Sequence, residues 1–279
     1  MICHQYFLRQ KVLEEDLKSL SFDPKGLSPL NFFIQVESIN KEICYFIKKY
    51  EWLGTIGVQP KWVFTARHQG ILGGVVLINE PTGYSKLLGE DTKRYEALIQ
   101  RGACASWTPK GLASRLIMYS CRWMVKNTEK RCFIGYSDSE AGEIGTIYQA
   151  CNFDFLGFSY GNRYLYKHPT FRGGKPFSPQ LLKRTSMFKK WARENKICLE
   201  DRWFNEKGFK VMSKIPCAAK IPWKEWRDKI IKESEKIPIS RKGKYAIVLG
   251  KNRIENRYLK SLKNYISKPY PKRKVSTDT

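Results

Sequence analysis

Asp138 and Tyr148 are the residues best suited to proton chemistry in this sequence. Asp138 lies in Ser137-Asp-Ser-Glu140, just past an expected short strand, Arg131–Tyr136. Open α/β sheets place their ligands at such carboxyl ends. A carboxylate there can accept a proton from an attacking amine or hold that amine in position. Tyr148 sits on the helix expected next, and its phenol can protonate a leaving group, work that suits tyrosine where histidine is scarce. The chain has three histidines, His4, His68 and His168, which argues against a zinc site or a Ser–His–Asp triad, and no metal is expected. Ser137, beside Asp138, is the third catalytic candidate. Each has a structural alternative. Ser137 and Glu140 fit an S-x-x-E capping box, and Tyr148 shares one helical face with Ile144, Ile147 and Cys151.

Thr108-Pro-Lys-Gly-Leu-Ala113 stands where a Gly-rich loop opens an apolar helix, Leu112–Val125. Free backbone N–H groups at a helix start can hold a phosphate. Gly111 would allow close approach and Lys110 would add charge, although an ordinary strand-to-helix turn fits the same residues.

The charge is lopsided. Residues 1–160 hold 19 Lys/Arg against 16 Asp/Glu, whereas residues 161–279 hold 32 against 10. An excess of that size is best tolerated beside a polyanion, so nucleic-acid binding is expected in the second part, with Lys183, Arg184, Lys189 and Lys190 as contacts. Trp191, Trp203, Phe204, Trp223, Trp226 and Tyr245 are interleaved there; most are expected in a core and a few on unpaired bases.

These residues need positioning. A strand at about Ala97–Ala105, the Trp107–Gly111 loop, the Leu112–Val125 helix, the Arg131–Tyr136 strand, a second helix and a strand restarting at Asn152–Gly157 form a strand–loop–helix–strand–helix–strand unit. Upstream, Ile39, Ile43, Phe46, Ile47 and Tyr50 mark an amphipathic helix with Ser38 as N-cap. Trp62–Ala66 and Ile71–Asn79 read as a hairpin around His68–Gly70. Phe153–Tyr160 and Arg163–Lys167 read as a second, turning on Gly161-Asn162. Helices are expected at Pro179–Asn195, Trp223–Ser234 and Asn252–Tyr265, ahead of a frayed tail. The division expected is a catalytic core, 1–168, and a basic nucleic-acid-binding region, 169–279, from which the strand 244–250 rejoins the core sheet. The 279 residues suffice for a sizeable core. No apolar run reaches the roughly 18 residues of a membrane span and no signal peptide opens the chain, so a soluble cytosolic protein is expected. Eight cysteines without a CxxC pair, several on apolar faces (Cys44, Cys121, Cys151), read as buried reduced thiols.

The strand–loop–helix, the helix ending in Tyr148-x-x-x-x-Phe153 and the following Leu156-Gly-Phe resemble the GNAT acyltransferases. More narrowly, YEWLGTIG, RGACASW, LASRLI…RWMVKNT and YSDSEAGEIGTIYQACNFDFLG resemble the Mom DNA-modification proteins of Mu-like phages. The resemblance implies an α/β (α+β) fold, a GNAT-like mixed, mostly antiparallel sheet flanked by helices, here with a basic C-terminal extension. It implies conversion of adenine in double-stranded DNA to a carbamoylmethylated form that protects phage DNA from restriction in the cytoplasm of an infected host. It implies that Arg101 and Ser114 help hold the donor while Asp138 and Tyr148 act at the reacting centre; Lys110 and Gly111 join the donor-binding candidates from the reading of their loop. Thr108 stands where GNAT loops begin with Arg or Gln, a departure that bears on CoA binding. Acetyl-CoA and glycyl-tRNA are both expected as possible donors, the second making tRNA a partner beside DNA. Two other readings stay open: a GNAT acting on a protein or small amine, and a non-catalytic nucleic-acid-binding protein. The oligomeric state is not readable.

Overall fold

The run Ile71–Asn79 becomes an interior strand buried along almost its whole length, as its consecutive apolar side chains require. The computed structural model describes residues 3–159, 163–206 and 208–272. The chain forms two compact units, Met1–Tyr160 with Arg241–Thr279, and Gly161–Ser240. The first unit contains α1 (His4–Ser19), β1 (Phe33–Glu37), α2 (Lys41–Tyr50), β2 (Trp62–His68), β3 (Ile71–Asn79), β4 (Glu96–Cys104), α3 (Leu112–Asn127), β5 (Cys132–Asp138), α4 (Thr146–Ala150) and β6 (Asp154–Phe158). The second holds β7 (Arg163–Lys167), α5 (Pro179–Leu182), α6 (Thr185–Glu194), α7 (Cys217–Lys232) and β8 (Glu235–Ile239). The chain then returns to the first unit with β9 (Lys242–Val248) and α8 (Arg253–Ser261).

The first unit is a seven-stranded sheet in the order β1-β2-β3-β4-β5-β9-β6. Every neighbouring pair is antiparallel except β4 and β5, so the sheet is mixed and mostly antiparallel, with helices packed against it. Its core joins Phe64, Val75 and Leu77 of the sheet to Ile43 and Ile47 of α2 and to Leu116, Cys121 and Met124 of α3. The second unit has a two-stranded sheet, β7-β8, and a core of large rings, Phe188, Trp191, Trp203 and Trp223.

Several expectations are corrected. The cap of α2 is Asn40, whose Oδ1 accepts from the Ile43 amide at 2.9 Å, not Ser38; Ile39 precedes the helix and packs on the core. Residues 153–167 are not a hairpin. β9, carrying Tyr245, Ala246 and Val248, inserts beside β6 and satisfies its hydrogen bonds, leaving β7 to pair with β8. Gly161 and Asn162, the expected turn, lie outside the described residues, as does much of the expected tail. The units therefore divide at 160 and 240 rather than at 168, and the described C-terminal residues, 241–272, belong with the sheet. The expected helix 179–195 breaks at Arg184, which is extended. The expected helix from Trp223 begins earlier, at Cys217, and carries Pro222 inside it. Cys44 is exposed rather than buried. α1 has no counterpart among the expected helices, because Tyr6, Phe7 and Leu17 point to solvent and leave no apolar stripe; the fully buried residue of that helix is Asp16.

Candidate active site

β4 and β5 pair over Glu96–Leu98 and Cys132–Ile134 and then part. β4 continues to Cys104 against β3, and β5 to Asp138 against β9. A cavity of about 940 Å³ opens where they diverge, at the carboxyl ends of the two parallel strands. Its walls come from β4, the start of α3, the end of β5, the segment 142–150, α1, the 51–53 loop and Lys242, all within the first unit.

Ser137, Asp138 and Tyr148 all line this cavity. Asp138 is buried, and its carboxylate is 3.1 Å from Lys242 Nζ. It also caps the 3-10 turn Ser139–Ala141, Oδ1 accepting from the Glu140 amide at 3.2 Å. The capping-box expectation is thus corrected: Asp138 is the cap and Ser137 remains in β5, opposite Gly243. Tyr148 is buried between Phe153 and Tyr245, whose ring stacks on it at 5.2 Å. Gly135 makes this possible, since a Cβ there would overlap the Tyr148 ring. Burial holds the Tyr148 phenol well above its ordinary range, so it stays protonated at neutral pH and is suited to donate. α4 is a single short turn-and-a-half; of the four residues expected on its buried face, Tyr148 and Cys151 are buried, while Ile144 and Ile147 are half-buried and Ile144 precedes the helix. Cys104 also lines the cavity, but burial pushes its thiol up to about 11, which removes it as a thiolate nucleophile.

Three residues here carry no local signal in the sequence: Glu51, Glu143 and Lys242. Glu143 Oε2 accepts from the Asp138 amide at 3.1 Å. Burial pushes its carboxyl above the usual range, and the nearby Asp138 and Glu51 charges add to that rise. Burial likewise raises Glu51, against the pull of Arg101, 3.8 Å away. Glu51 Oε2 also accepts from the amides of Leu53 and Gly54 at 2.9 and 3.1 Å. Carboxyls with raised proton affinity beside a lysine-paired carboxylate form a proton-handling cluster.

The donor candidates separate. Arg101 lines the cavity, yet its Nε donates to Thr55 O at 3.1 Å and Nη1 to Gln100 O at 2.8 Å, so it pins the 51–55 loop. Gly111, in the left-handed region at φ 88°, turns the chain into α3 and lines the cavity with Ser114, whose Oγ donates to Gly111 O at 3.0 Å. Lys110 is exposed and does not line it. Thr108 is buried, its Oγ1 donating to Ala105 O at 2.8 Å. Arg9 of α1 reaches this loop, Nη2 donating to Ser106 O and Thr108 O, both at 3.2 Å. Asp16 fastens α1 further: it accepts from Tyr50 Oη at 2.8 Å and from Ser106 Oγ, and pairs with Lys49 at 2.7 Å.

The expected nucleic-acid contacts lie in the second unit. Lys183 and Arg184 are exposed between α5 and α6. Lys189 lies over the Phe204 ring at 4.4 Å, and Lys190 pairs with Glu194 at 3.7 Å. Among the described residues no group of three His, Cys, Asp or Glu is placed to hold a metal, and no helix is long and apolar enough to cross a membrane.

The chain is similar in structure to an IAA acetyltransferase from Bacillus cereus, with 13% identity over 78% of this chain and 99% of that one and a TM-score of 0.38. It is similar also to a GNAT family acetyltransferase from Elizabethkingia anophelis with acetyl-CoA bound (11%, 78% and 99%, TM-score 0.38). A third is the ribosomal-protein-S18-alanine N-acetyltransferase from Escherichia coli (12%, 52% and 88%, TM-score 0.33). Comparison with curated proteins gives no significant match. The model of the Mom protein family matches residues 37–211, well over half of the chain and inclusive of Glu51, Arg101, Asp138 and Tyr148. By that match the chain belongs to the Mom protein family.

Proposed function

We propose that this protein transfers an acyl-type group to the exocyclic amine of adenine in double-stranded DNA. The product is carbamoylmethylated adenine, which shields phage DNA from restriction in the cytoplasm of the infected host. The observation that carries the reading is the cavity between the parting strands of a Mom-family chain, with Asp138 and Tyr148 both on its wall. The base leaves the helix to reach it, since a stacked, paired amine cannot meet a buried carboxylate.

Atom count favours a glycyl donor over acetyl-CoA, because an acetyl group lacks the nitrogen that the product carries. Attack of the adenine N6 on a glycyl ester forms an N6–carbonyl bond and breaks the ester C–O bond. Asp138 accepts the amine proton and Tyr148 protonates the departing ribose oxygen. The glycyl amine then attacks purine C6, the C6–N6 bond breaks, and the former N6 leaves the ring as the carboxamide nitrogen. Nothing is oxidised or reduced. Gly111, Ser114 and the open first turn of α3 face the cavity where the donor would lie. The excess of basic residues suits tRNA as well as DNA.

The test is nucleoside mass spectrometry on DNA incubated with the purified protein and each donor in turn. Glycyl-tRNA is expected to give adenine heavier by one glycyl residue, with fragmentation placing a carboxamide rather than an amine at the end. Product from acetyl-CoA with tRNA absent overturns the glycyl route; product from neither overturns the function.

A further inference from the structure

The second unit carries an exposed ring, Phe209, on a turn whose next residue, Lys210, is a cation without an ion-pair partner among the described residues. Phe204 and Lys210 form a β-bridge, and between them Asn205 closes a tight turn. Its amide donates to Phe209 O at 2.8 Å, its Oδ1 accepts from the Phe209 amide at 2.9 Å, and its carbonyl accepts from Gly208 N at 2.7 Å. Trp203, one residue before the bridge, is buried in the aromatic core, and Val211 N donates to Trp203 O at 2.8 Å. The turn is therefore anchored on both sides. Phe209, opposite Asn205 and one residue from the bridge, nevertheless stands 59% exposed, where a packed core would have taken so large an apolar side chain.

Cations surround the base of this turn. The Lys210 amide donates to Thr185 Oγ1 at 3.1 Å, and its Nζ donates to Lys183 O, beside the exposed Arg184. Arg227 of α7 lies over the Trp223 ring at 5.5 Å, and its buried Nε has no hydrogen-bond partner. Burial lowers the proton affinity of Lys210, and the charge acting on it is that of Arg227, another cation. Neither residue has an ion-pair partner among the described residues. Two half-buried like charges with no acid between them are costly alone and stable beside an anion.

We infer that this turn is a DNA contact, in which Phe209 wedges against a base step while Lys210, Arg227, Lys183 and Arg184 grip the flanking phosphates. The ring and the charges point to the same ligand: proteins insert Phe at duplex steps beside backbone-bound Lys and Arg, and stacking on a π-face asks for no particular base. The contact rests on the reading of the chain as a DNA-modifying protein and adds a side chain able to loosen the stack.

The experiment titrates the full chain with a duplex bearing a fluorescent adenine analogue, at several salt concentrations, with a tRNA titration beside it. Phe209→Ala is expected to weaken duplex binding roughly tenfold with the salt slope unchanged and to abolish the brightening of the analogue. Lys210→Gln is expected to reduce the log–log salt slope by about 0.9, the share of one phosphate. Phe209→Trp restores both signals, and Phe209→Ala should leave the melting temperature alone because the ring is exposed. Duplex affinity within twofold of wild type in Phe209→Ala, or a loss confined to tRNA, overturns the inference. A wild-type chain that binds duplex through Phe209 yet yields no modified adenine sinks the proposed function and leaves this contact standing.

Discussion

The two units solve different problems with different residues. The first spreads 31 Lys/Arg and 18 Asp/Glu over Met1–Tyr160 and Arg241–Thr279 and builds its core on a seven-stranded sheet, from aliphatic and aromatic side chains together. The second places 20 Lys/Arg against 8 Asp/Glu within Gly161–Ser240, has a two-stranded sheet, and is held mainly by buried rings, Phe177, Phe188, Trp191, Trp203 and Trp223. A unit of that size buries proportionally less surface than a larger one, so each buried ring counts for more. At its cavity the first unit keeps Glu51 and Asp138 buried and partnered; the second leaves Lys183 and Arg184 exposed. Chemistry needs a dry, fixed environment, whereas phosphate binding needs accessible charge.

The largest effects should follow from removing the proton handlers. Asp138→Asn and Tyr148→Phe are expected to lower modified nucleoside by about 10²–10⁴-fold while DNA affinity and melting temperature stay near wild type. Nucleoside mass spectrometry and a binding titration check this together. Full activity in either variant would return that residue to a purely structural role and blur the contrast between the units.

Next comes the salt response of the second unit. Charge-neutralising substitution of Lys183, Arg184, Lys189 and Lys190 together should flatten the log–log slope by about 0.9 for each phosphate that is no longer neutralised. Lys183 and Arg184 should account for most of it, because Lys189 lies on a ring and Lys190 is paired with Glu194. A slope unmoved by all four would shift the DNA footprint elsewhere. The segment 241–279 is the obvious candidate, with 12 Lys/Arg against 2 Asp/Glu.

A smaller effect tests how Tyr148 is held. Gly135→Ala drives a methyl group into the Tyr148 ring. Overpacking of this kind costs about 1–3 kcal/mol, read as a lower melting temperature, and activity should fall as the ring is displaced. An unchanged melting temperature would mean the ring moves freely and is not fixed by its neighbours.

Legibility in the sequence depends on chain distance. The hairpin β2–β3, the loop into α3 and the strand ending in Asp138 are set by local periodicity and turn residues, which place them close to their observed limits. Asp138 and Tyr148 are legible because both belong to that local unit. Lys242 is not, because its partner Asp138 is more than a hundred residues away and only the β5–β9 register unites them. Arg9 and Asp16 stay hidden for a related reason: α1 is held by polar contacts to Ser106, Thr108 and Tyr50, which leave no periodic apolar trace. The second hairpin misleads because Gly161-Asn162 has the composition of a tight turn, whereas the partner of each flanking strand arrives about eighty residues later.

The subtlest prediction concerns Glu143, where stability and proton handling oppose each other. Burial raises its carboxyl above the ordinary value of 4.5, so across the window from 4.5 to the raised value the folded chain binds more protons than the unfolded one. Stability from this group is thus fully present below 4.5 and is lost as pH rises through the folded value. Glu143→Gln keeps an oxygen to accept from the Asp138 amide but cannot ionise. Its melting temperature should match wild type in acid and exceed it at neutral pH, the gap widening through that window. Its activity at neutral pH should fall, since the variant keeps the bond to Asp138 but loses the titrating group. Melting curves of both proteins across pH decide it. A variant less stable than wild type at neutral pH would mean that the Glu143 anion is favourably held, and the raised proton affinity would have to be abandoned.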